Sequence, residues 1–228
     1  MRRTPGSLAL FVLPLLLALL AVGLAVPRLA AAFLLLPAHG IVEAAGKGEP
    51  VSDAALSRAL TAKTAAFRWV SDPKTQSDIG TLHLLAAHRA GTGSPEGIRL
   101  LEESVTAIRA SLGLSPAQPY AWLQLFQARL ALEGPTAAAS PLFVQAIRTA
   151  PTESHIVLPR LEVGLAVWTF LDAEAVRHLK GQVALAARYH LWPLTEMTKK
   201  RHALKLVREA LEEDPELLNQ FDVIYRRL

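Results

Sequence analysis

Residues 119–133 read PYAWLQLFQARLALE, and residues 136–150 read TAAASPLFVQAIRTA. Both segments are rich in alanine and unbranched or γ-branched side chains, which lose little conformational freedom in a helix. Gly134-Pro135 separates the two segments and Pro151 follows the second, so this stretch predicts two helices in a hairpin. The step from Pro116 to Pro151 is 35 residues.

This hairpin resembles a tetratricopeptide repeat, in which a large residue early in the first helix meets small residues where the helices pack. The matching positions are Trp122, Leu125, Ala128, Ala138 or Ala139, Leu142, Ala146 and Pro151. Phe126 and Arg129 stand where the repeat has glycine and tyrosine, and the second helix is displaced by one residue. We interpret residues 77–116 as a more degenerate preceding hairpin. Two units fall short of the roughly three that a solenoid needs, so flanking helices must complete the core.

Helical patterns continue through the rest of the chain, and the predicted fold is all-α: an N-terminal transmembrane helix followed by a tetratricopeptide-like stack of hairpins. Ser94-Pro95-Glu96 predicts a helix start, because a capping hydroxyl precedes a proline and an acid. Ser71-Asp72-Pro73 and Trp192-Pro193 are interpreted as helix breaks, and Pro159 as either a kink or the true first turn of its helix. The other predicted helices cover about Ser52 or Asp53 to Val70, Ser77–Ala90, Pro95–Leu112, 152–171, 173–190, 194–213 and 215–227.

An uncharged apolar segment precedes this domain. Residues 7–26 read SLALFVLPLLLALLAVGLAV. At about 1.5 Å a residue, such a helix spans roughly 30 Å, the thickness of a bilayer's hydrocarbon core. The helix is expected to continue to about Leu36, with Arg28 near the interface. The chain is therefore divided into residues 1–36, a cytoplasmic tip and transmembrane anchor, residues 37–51, a connector, and residues 52–228, the helical-repeat-like domain.

Positive charge around the apolar segment predicts its orientation. Arg2, Arg3 and the amino group precede the segment, whereas Arg28 and Lys47 follow it. The excess favours a cytoplasmic N-terminus, a single pass through the inner membrane and a periplasmic domain. A cleaved signal peptide is the alternative, although the apolar region of such peptides is typically about 7–15 residues long.

Charge and cysteine content exclude several kinds of site. The chain has 24 Lys and Arg against 20 Asp and Glu, and three of the arginines precede the first acid, Glu43. The remaining domain is nearly neutral and lacks the broad positive surface that nucleic acids require, so nucleic acid is not an expected partner. The absence of cysteine excludes disulfides, thiolate metal sites and cysteine nucleophiles.

The histidines show no metal-binding motif. His83 and His88 are five residues apart, which places them about 140° apart around a helix. His178, His190 and His202 recur every twelve residues, but predicted helix breaks separate them. We interpret them as solvated or capping side chains.

The acidic residues show no catalytic pattern. Glu102-Glu103 and Glu212-Glu213-Asp214 are neighbours in sequence, and neighbours point in different directions on a helix. The sequence also lacks phosphate-loop and nucleophile-elbow motifs. We therefore predict no catalytic, cofactor-binding or metal-binding residues and no enzymatic activity.

Arg160 lies in an apolar helix whose stripe is formed by Val157, Leu161, Leu165 and Trp168. Its planar fork of donors suits a carboxylate or sugar acid in a groove. The alternative, which we favour, is a local pair with Glu153 or a side chain that extends to water. Trp122 and Trp168 are expected to be core anchors, with sugar stacking as the alternative.

Three stretches, LSPAQPYAW (114–122), LALEGPTAA (130–138) and APTESHIVLPRLEVGLAVW (150–168), carry a family resemblance. Together with the N-terminal apolar segment, they resemble the VpsP-type accessory proteins of bacterial exopolysaccharide biosynthesis. The resemblance implies a role at the inner membrane in polysaccharide assembly or export, and it transfers no catalytic residue.

The leading hypothesis is a non-enzymatic scaffold that is tethered to the membrane and binds other proteins of an envelope polysaccharide assembly. One rival is an envelope enzyme acting on glycans. The other is a structural membrane subunit, in which the apolar segment packs against partner helices. The partner's identity and the oligomeric state are not predicted.

Overall fold

The computed structural model describes residues 5–38, 40–46 and 49–228. These ranges contain helices and no strand, which confirms the predicted all-α class and an apolar N-terminal helix followed by packed helices. The helices are α1 (Pro5–Leu35), α2 (Ile41–Gly46), α3 (Asp53–Phe67), α4 (Pro73–Ala90), α5 (Pro95–Leu114), α6 (Pro119–Glu133), α7 (Ser140–Arg148), α8 (Ser154–Val167), α9 (Ala173–Tyr189), α10 (Leu191–Lys200), α11 (Leu204–Leu211) and α12 (Pro215–Arg227).

Polar side chains cap several helix starts. The Ser94 hydroxyl accepts a hydrogen bond from the backbone N–H of Gly97 at 2.9 Å, as the predicted start of α5 requires. The Asp172 carboxylate accepts from the N–H of Ala175 at 2.8 Å and begins α9 in the same way. Each cap satisfies one of the backbone donors that the first turn of a helix leaves without a partner.

Helix α4 begins earlier than the sequence analysis predicted. Asp72 accepts the N–H of Thr75 at 2.6 Å, and Pro73 takes the first helical position. Ser71-Asp72-Pro73 therefore starts α4, and α3 already ends at Phe67. A proline breaks a helix that runs into it but favours the first turn of the next one, and the prediction used only the first effect.

The predicted helix over residues 194–213 is wrong, because α10 and α11 are separate. His202 takes a left-handed conformation with φ 53° between them, a geometry that few residues other than glycine adopt. The turn lets Leu194 and Leu206 both lie in the core, at 0% and 1% exposure. The break predicted at Trp192-Pro193 falls at His190, between α9 and α10, and Pro193 lies within the first turn of α10, where a missing N–H costs nothing.

The helices of the domain pack side by side around a continuous series of apolar clusters. Helices α3 and α4 are antiparallel, because Arg89 bonds Asp53 at 2.7 Å and Lys63 bonds Asp78 at 2.7 Å. One cluster lies between α4, α5 and α6, and a larger one joins α6 to the helices that follow it. The largest fully buried apolar side chains of the larger cluster include Phe126, Phe143, Ile156, Leu161, Leu165, Leu179, Leu194 and Phe221.

Trp122 and Phe126 both contribute to the packing of the predicted hairpin, which corresponds to α6 and α7. Trp122 is only partly buried, and its indole N–H donates to the carbonyl of Pro116 at 2.8 Å. Phe126 is fully buried, and its ring centroid lies 5.1 Å from that of Phe143 on α7. Trp122 therefore packs against the core, as expected, but Phe126 is the central anchor between α6 and α7.

Helix α1 is long and apolar enough to cross a membrane. Its 31 residues correspond to about 46 Å, well beyond the roughly 30 Å of a hydrocarbon core. Side chains from Val12 to Val26 are exposed, whereas Ala31 and Ala38 are buried. The last turns of α1 therefore pack against the domain, while the preceding part projects from it. Arg2, Arg3 and Lys47 lie outside the described residues.

Candidate protein-binding groove

The first turn of α8 is held by the start of α6. Pro159 lies inside α8, and since proline has no N–H, the carbonyl of His155 lacks its usual helical donor. The Tyr120 hydroxyl donates to that carbonyl at 3.4 Å. The rings of Tyr120 and His155 also stack, with centroids 5.8 Å apart. The start of α6 therefore holds the start of α8.

The buried face of α8 carries the apolar stripe that the sequence predicted. Val157, Leu161 and Leu165 are at most 1% exposed, whereas Trp168 is only partly buried. Leu158 lies at the edge of this stripe, where it packs partly against the core, and together with Pro159 and Glu162 it lines a groove.

Arg160 is fully buried, so the predictions that it lines a groove or extends to water are wrong. Glu153, its expected local partner, is close enough to act on its charge, whereas its hydrogen bonds go to other groups. Its guanidinium donates to the carbonyls of Ala146 and Ala150, the latter at 2.8 Å. It also donates to the side-chain oxygen of Gln182 at 3.1 Å. The carbonyls of Ala146 and Ala150 lie at and just beyond the C-terminal end of α7, where a cation is favourable.

The environment of Arg160 changes its protonation equilibrium without removing its charge near neutral pH. Burial lowers the pKa of the guanidinium to about 10, and the charge of nearby Glu153 offsets only part of that decrease. Arg160 therefore remains a cation at pH 7. We conclude that it fastens α7 to α8 and α9.

The groove lies between α8 and α10 and has a volume of about 420 Å³. Apolar side chains form most of its surface, and charged side chains stand among them. The lining residues are Leu158, Pro159 and Glu162 from α8, and Pro193, Glu196, Met197 and Lys200 from α10. On each helix they recur at intervals of three or four, so each helix presents one face to the groove.

An ion-pair network closes one side of the groove. Glu162 accepts hydrogen bonds from Arg201 and, at 3.4 Å, from Lys200. Partial burial raises the pKa of Glu162, but the hydrogen bonds and charges of Arg201 and Lys200 together outweigh it, so the pKa lies below its ordinary value. Glu162 is therefore ionised at neutral pH.

An apolar floor with a charged rim is the usual composition of a protein–protein contact surface. Met197 adds a flexible, polarisable side chain that adapts to the shape of a partner. Trp192 is half exposed and lies one helical turn before Glu196 on the same face of α10. The groove is suited to an apolar segment of another protein, and its side chains suggest no reaction.

A second cleft of about 640 Å³ lies beside Tyr120 and is more polar. It is formed by Ala117, Pro119 and the turn 149–154. Glu153 is the one ionisable side chain in that lining, and a single carboxylate does not supply an acid–base pair.

The histidines and acids that the sequence analysis considered do not converge. His83 Nδ1 lies 3.1 Å from a carboxylate oxygen of Glu103, and burial lowers the pKa of His83 although the charge of Glu103 opposes this. His178 lies 4.0 Å from Glu174. Within the part of the chain that the structure describes, no three His, Asp or Glu side chains gather as metal ligands.

Sequence reasoning missed the groove, because it depends on two helices that are far apart in the chain. A local signal was available, since Leu158 and Glu162 are four residues apart and share one side of α8 at the edge of the apolar stripe. No protein-family model matches the chain, and no curated protein matches it either.

Proposed function

We propose that this protein is a membrane-anchored helical scaffold that binds an apolar segment of another protein in the groove between α8 and α10. The observation that carries the proposal is the apolar groove with its charged rim, on a domain joined to a helix suited to crossing a membrane. The scaffold acts without chemistry of its own, as a non-enzymatic accessory in bacterial exopolysaccharide biosynthesis or export. The resemblance of residues 114–171 to VpsP-type proteins supports this setting.

A carboxylate placed in the groove tests the binding surface. In Met197→Asp the partner must desolvate a new charge in the apolar part of the groove, and affinity should fall at least about tenfold, equivalent to roughly 1.4 kcal/mol. The measurement is the amount of partner that copurifies with the protein from solubilised membranes, alongside the polysaccharide that the cells secrete.

Ile98→Asp is the matched control, because Ile98 is a partly exposed apolar residue on α5, outside the groove. That variant should retain the partner and support normal secretion. Equal retention by both variants would place the partner elsewhere on the domain.

The orientation of the anchor is tested separately. The excess of positive charge before the apolar segment supports a cytoplasmic N-terminus, an inner-membrane location and a periplasmic domain. A reporter that is active only in the periplasm should be active when fused after Leu228, and a cytoplasmic reporter should be silent. The opposite pattern would rule out the proposed location.

The two rival functions predict different behaviour. An envelope enzyme acting on glycans needs converging carboxylates or a metal, and Met197→Asp would leave its turnover unchanged. A structural membrane subunit depends on α1 for its contacts, so removal of α1 would abolish partner binding. Ala31 and Ala38 are buried, so the shortened protein should start near Arg28. A start after the connector would remove their packing against α3.

A further inference from the structure

Three exposed apolar side chains lie at one end of the stack formed by α3 to α6. Trp69 follows α3, Leu114 ends α5 and Tyr120 lies in the first turn of α6, and they are 53%, 52% and 41% exposed. Hydrogen bonds connect these elements. Ser111 on α5 donates to the carbonyl of Pro73 at the start of α4 at 2.6 Å, and Gln118 before α6 donates to Ser111 at 3.0 Å.

This end is the one from which α1 projects, because α3 runs antiparallel to α1. Ala38 belongs to an apolar cluster with Leu56 and Ala59 from the first half of α3. Leu85 and Ala86, near the end of α4, pack against the same cluster. Arg89, also near the end of α4, bonds Asp53 at the start of α3. The end of α1 therefore lies beside the beginning of α3.

The second half of α3 then lies beside the earlier turns of α1. Ala66 is 2% exposed and lies outside the cluster that contains Ala38. Partly or fully buried side chains recur from Pro27 on α1 to Ala38 just after it, a length of about 16 Å at helical rise. The buried face of α3 from Leu56 to Ala66 has nearly the same length, about 15 Å. Ala66 is therefore level with Pro27, where the apolar segment ends.

We propose that the end of the domain formed by Arg68, Trp69, Leu114 and Tyr120, here called the anchor-side end, lies in the lipid headgroup layer of the bilayer that α1 crosses. This rests on the proposed membrane anchoring. Tryptophan and tyrosine are the side chains most enriched at membrane interfaces, since one part of each is apolar and another polar. Arg68 is exposed beside Trp69, where its guanidinium can bind lipid phosphate.

At this level the free side of α1 leaves the bilayer. Leu29, Phe33 and Leu36 are 59–65% exposed on the turns that pack against α3. Leu29, about 4 Å beyond Val26 along the helix, falls within the headgroup layer in this placement, whereas Phe33 and Leu36, about 10 and 15 Å beyond Val26, lie outside the bilayer. Since Tyr120 stacks on His155, the start of α8 lies near the same end.

The absence of cysteine allows a test with single nitroxide labels. Leu114→Cys and Ile98→Cys place a label near opposite ends of α5, about 24 Å apart along the helix. Leu17→Cys reports on α1. The full chain is reconstituted into vesicles of phosphatidylethanolamine and phosphatidylglycerol, and the accessibility of each label to oxygen and to a water-soluble nickel complex is measured by electron paramagnetic resonance.

We expect the ratio of oxygen to nickel accessibility to be several-fold higher at Leu114→Cys than at Ile98→Cys, and highest at Leu17→Cys. If Leu17→Cys is lipid-accessible but the two labels on α5 give the same ratio, the anchor stands and the anchor-side contact is wrong. If Leu17→Cys itself behaves as a label in water, the membrane anchoring is wrong, and the contact with it.

Discussion

Replacing Arg160 with alanine is expected to lower the free energy of unfolding by about 3–5 kcal/mol. The substitution leaves the buried carbonyl of Ala146 and side-chain oxygen of Gln182 without this donor, and the partly buried carbonyl of Ala150 as well. A buried acceptor that loses its partner costs about 1–3 kcal/mol. The measurement is urea denaturation of the protein from Arg28 onward, followed by circular dichroism.

Arg148→Ala is the matched control, because Arg148 lies at the end of α7 but is more than half exposed, with a surface ion pair to Glu174. Its removal should change the free energy of unfolding by at most about 1 kcal/mol. Equal and small effects of both substitutions would show that the network around Arg160 does not fasten α7 to its neighbours.

Phe143→Ala should be similarly destabilising, by about 3–5 kcal/mol, because it removes a fully buried ring and leaves a cavity. Phe143 packs on Phe126 and fills the space beside Gly164, where an added Cβ would lie 2.8 Å from its ring. Thermal or urea denaturation measures the effect. Phe170→Ala, which removes an exposed ring, is the control and should leave the transition nearly unchanged.

The close approach of Gly164 to Phe143 can be tested separately. Gly164→Ala alone should destabilise the protein, by about 1–3 kcal/mol, because the new methyl group presses on Phe143 and on Leu179. In the Phe143→Ala background one of these clashes disappears, so the second substitution should cost less than it does alone. Strictly additive effects would contradict the packing of Phe143 against Gly164.

Local signals predicted much of the fold. The Ser94-Pro95 start of α5 and the last helix, Pro215–Arg227, lie where the capping and periodicity rules placed them. The stripe of Val157, Leu161 and Leu165 forms core because apolar residues at helical spacing bury one face. Each of these features depends on residues within a few turns of one another.

The errors arise where tertiary contacts override local preference. No glycine or proline marks the turn at His202, which lets Leu194 on α10 and Leu206 on α11 both join one core cluster. Arg160 looked like a surface or groove residue because its carbonyl acceptors come from the end of α7. The sequence lists Arg160 and the residues that supply its acceptors, but it does not show that they are close in space.

The groove also depends on contacts between residues that are far apart in the chain. Leu158 and Met197 are 39 positions apart. They line one groove only because α9 connects their helices so that α10 lies beside α8. The residue types were predictable as helix surface, but their meeting in one groove was not.

The most direct test of the proposed scaffold is partner retention by the chain from Arg28 onward, with and without Met197→Asp. We expect the shortened protein to retain its partner in solution and to lose it when Met197 is replaced. Loss of the partner on removal of residues 1–27 alone, in a protein that circular dichroism shows to be folded, would contradict binding through the groove and favour a role carried by α1.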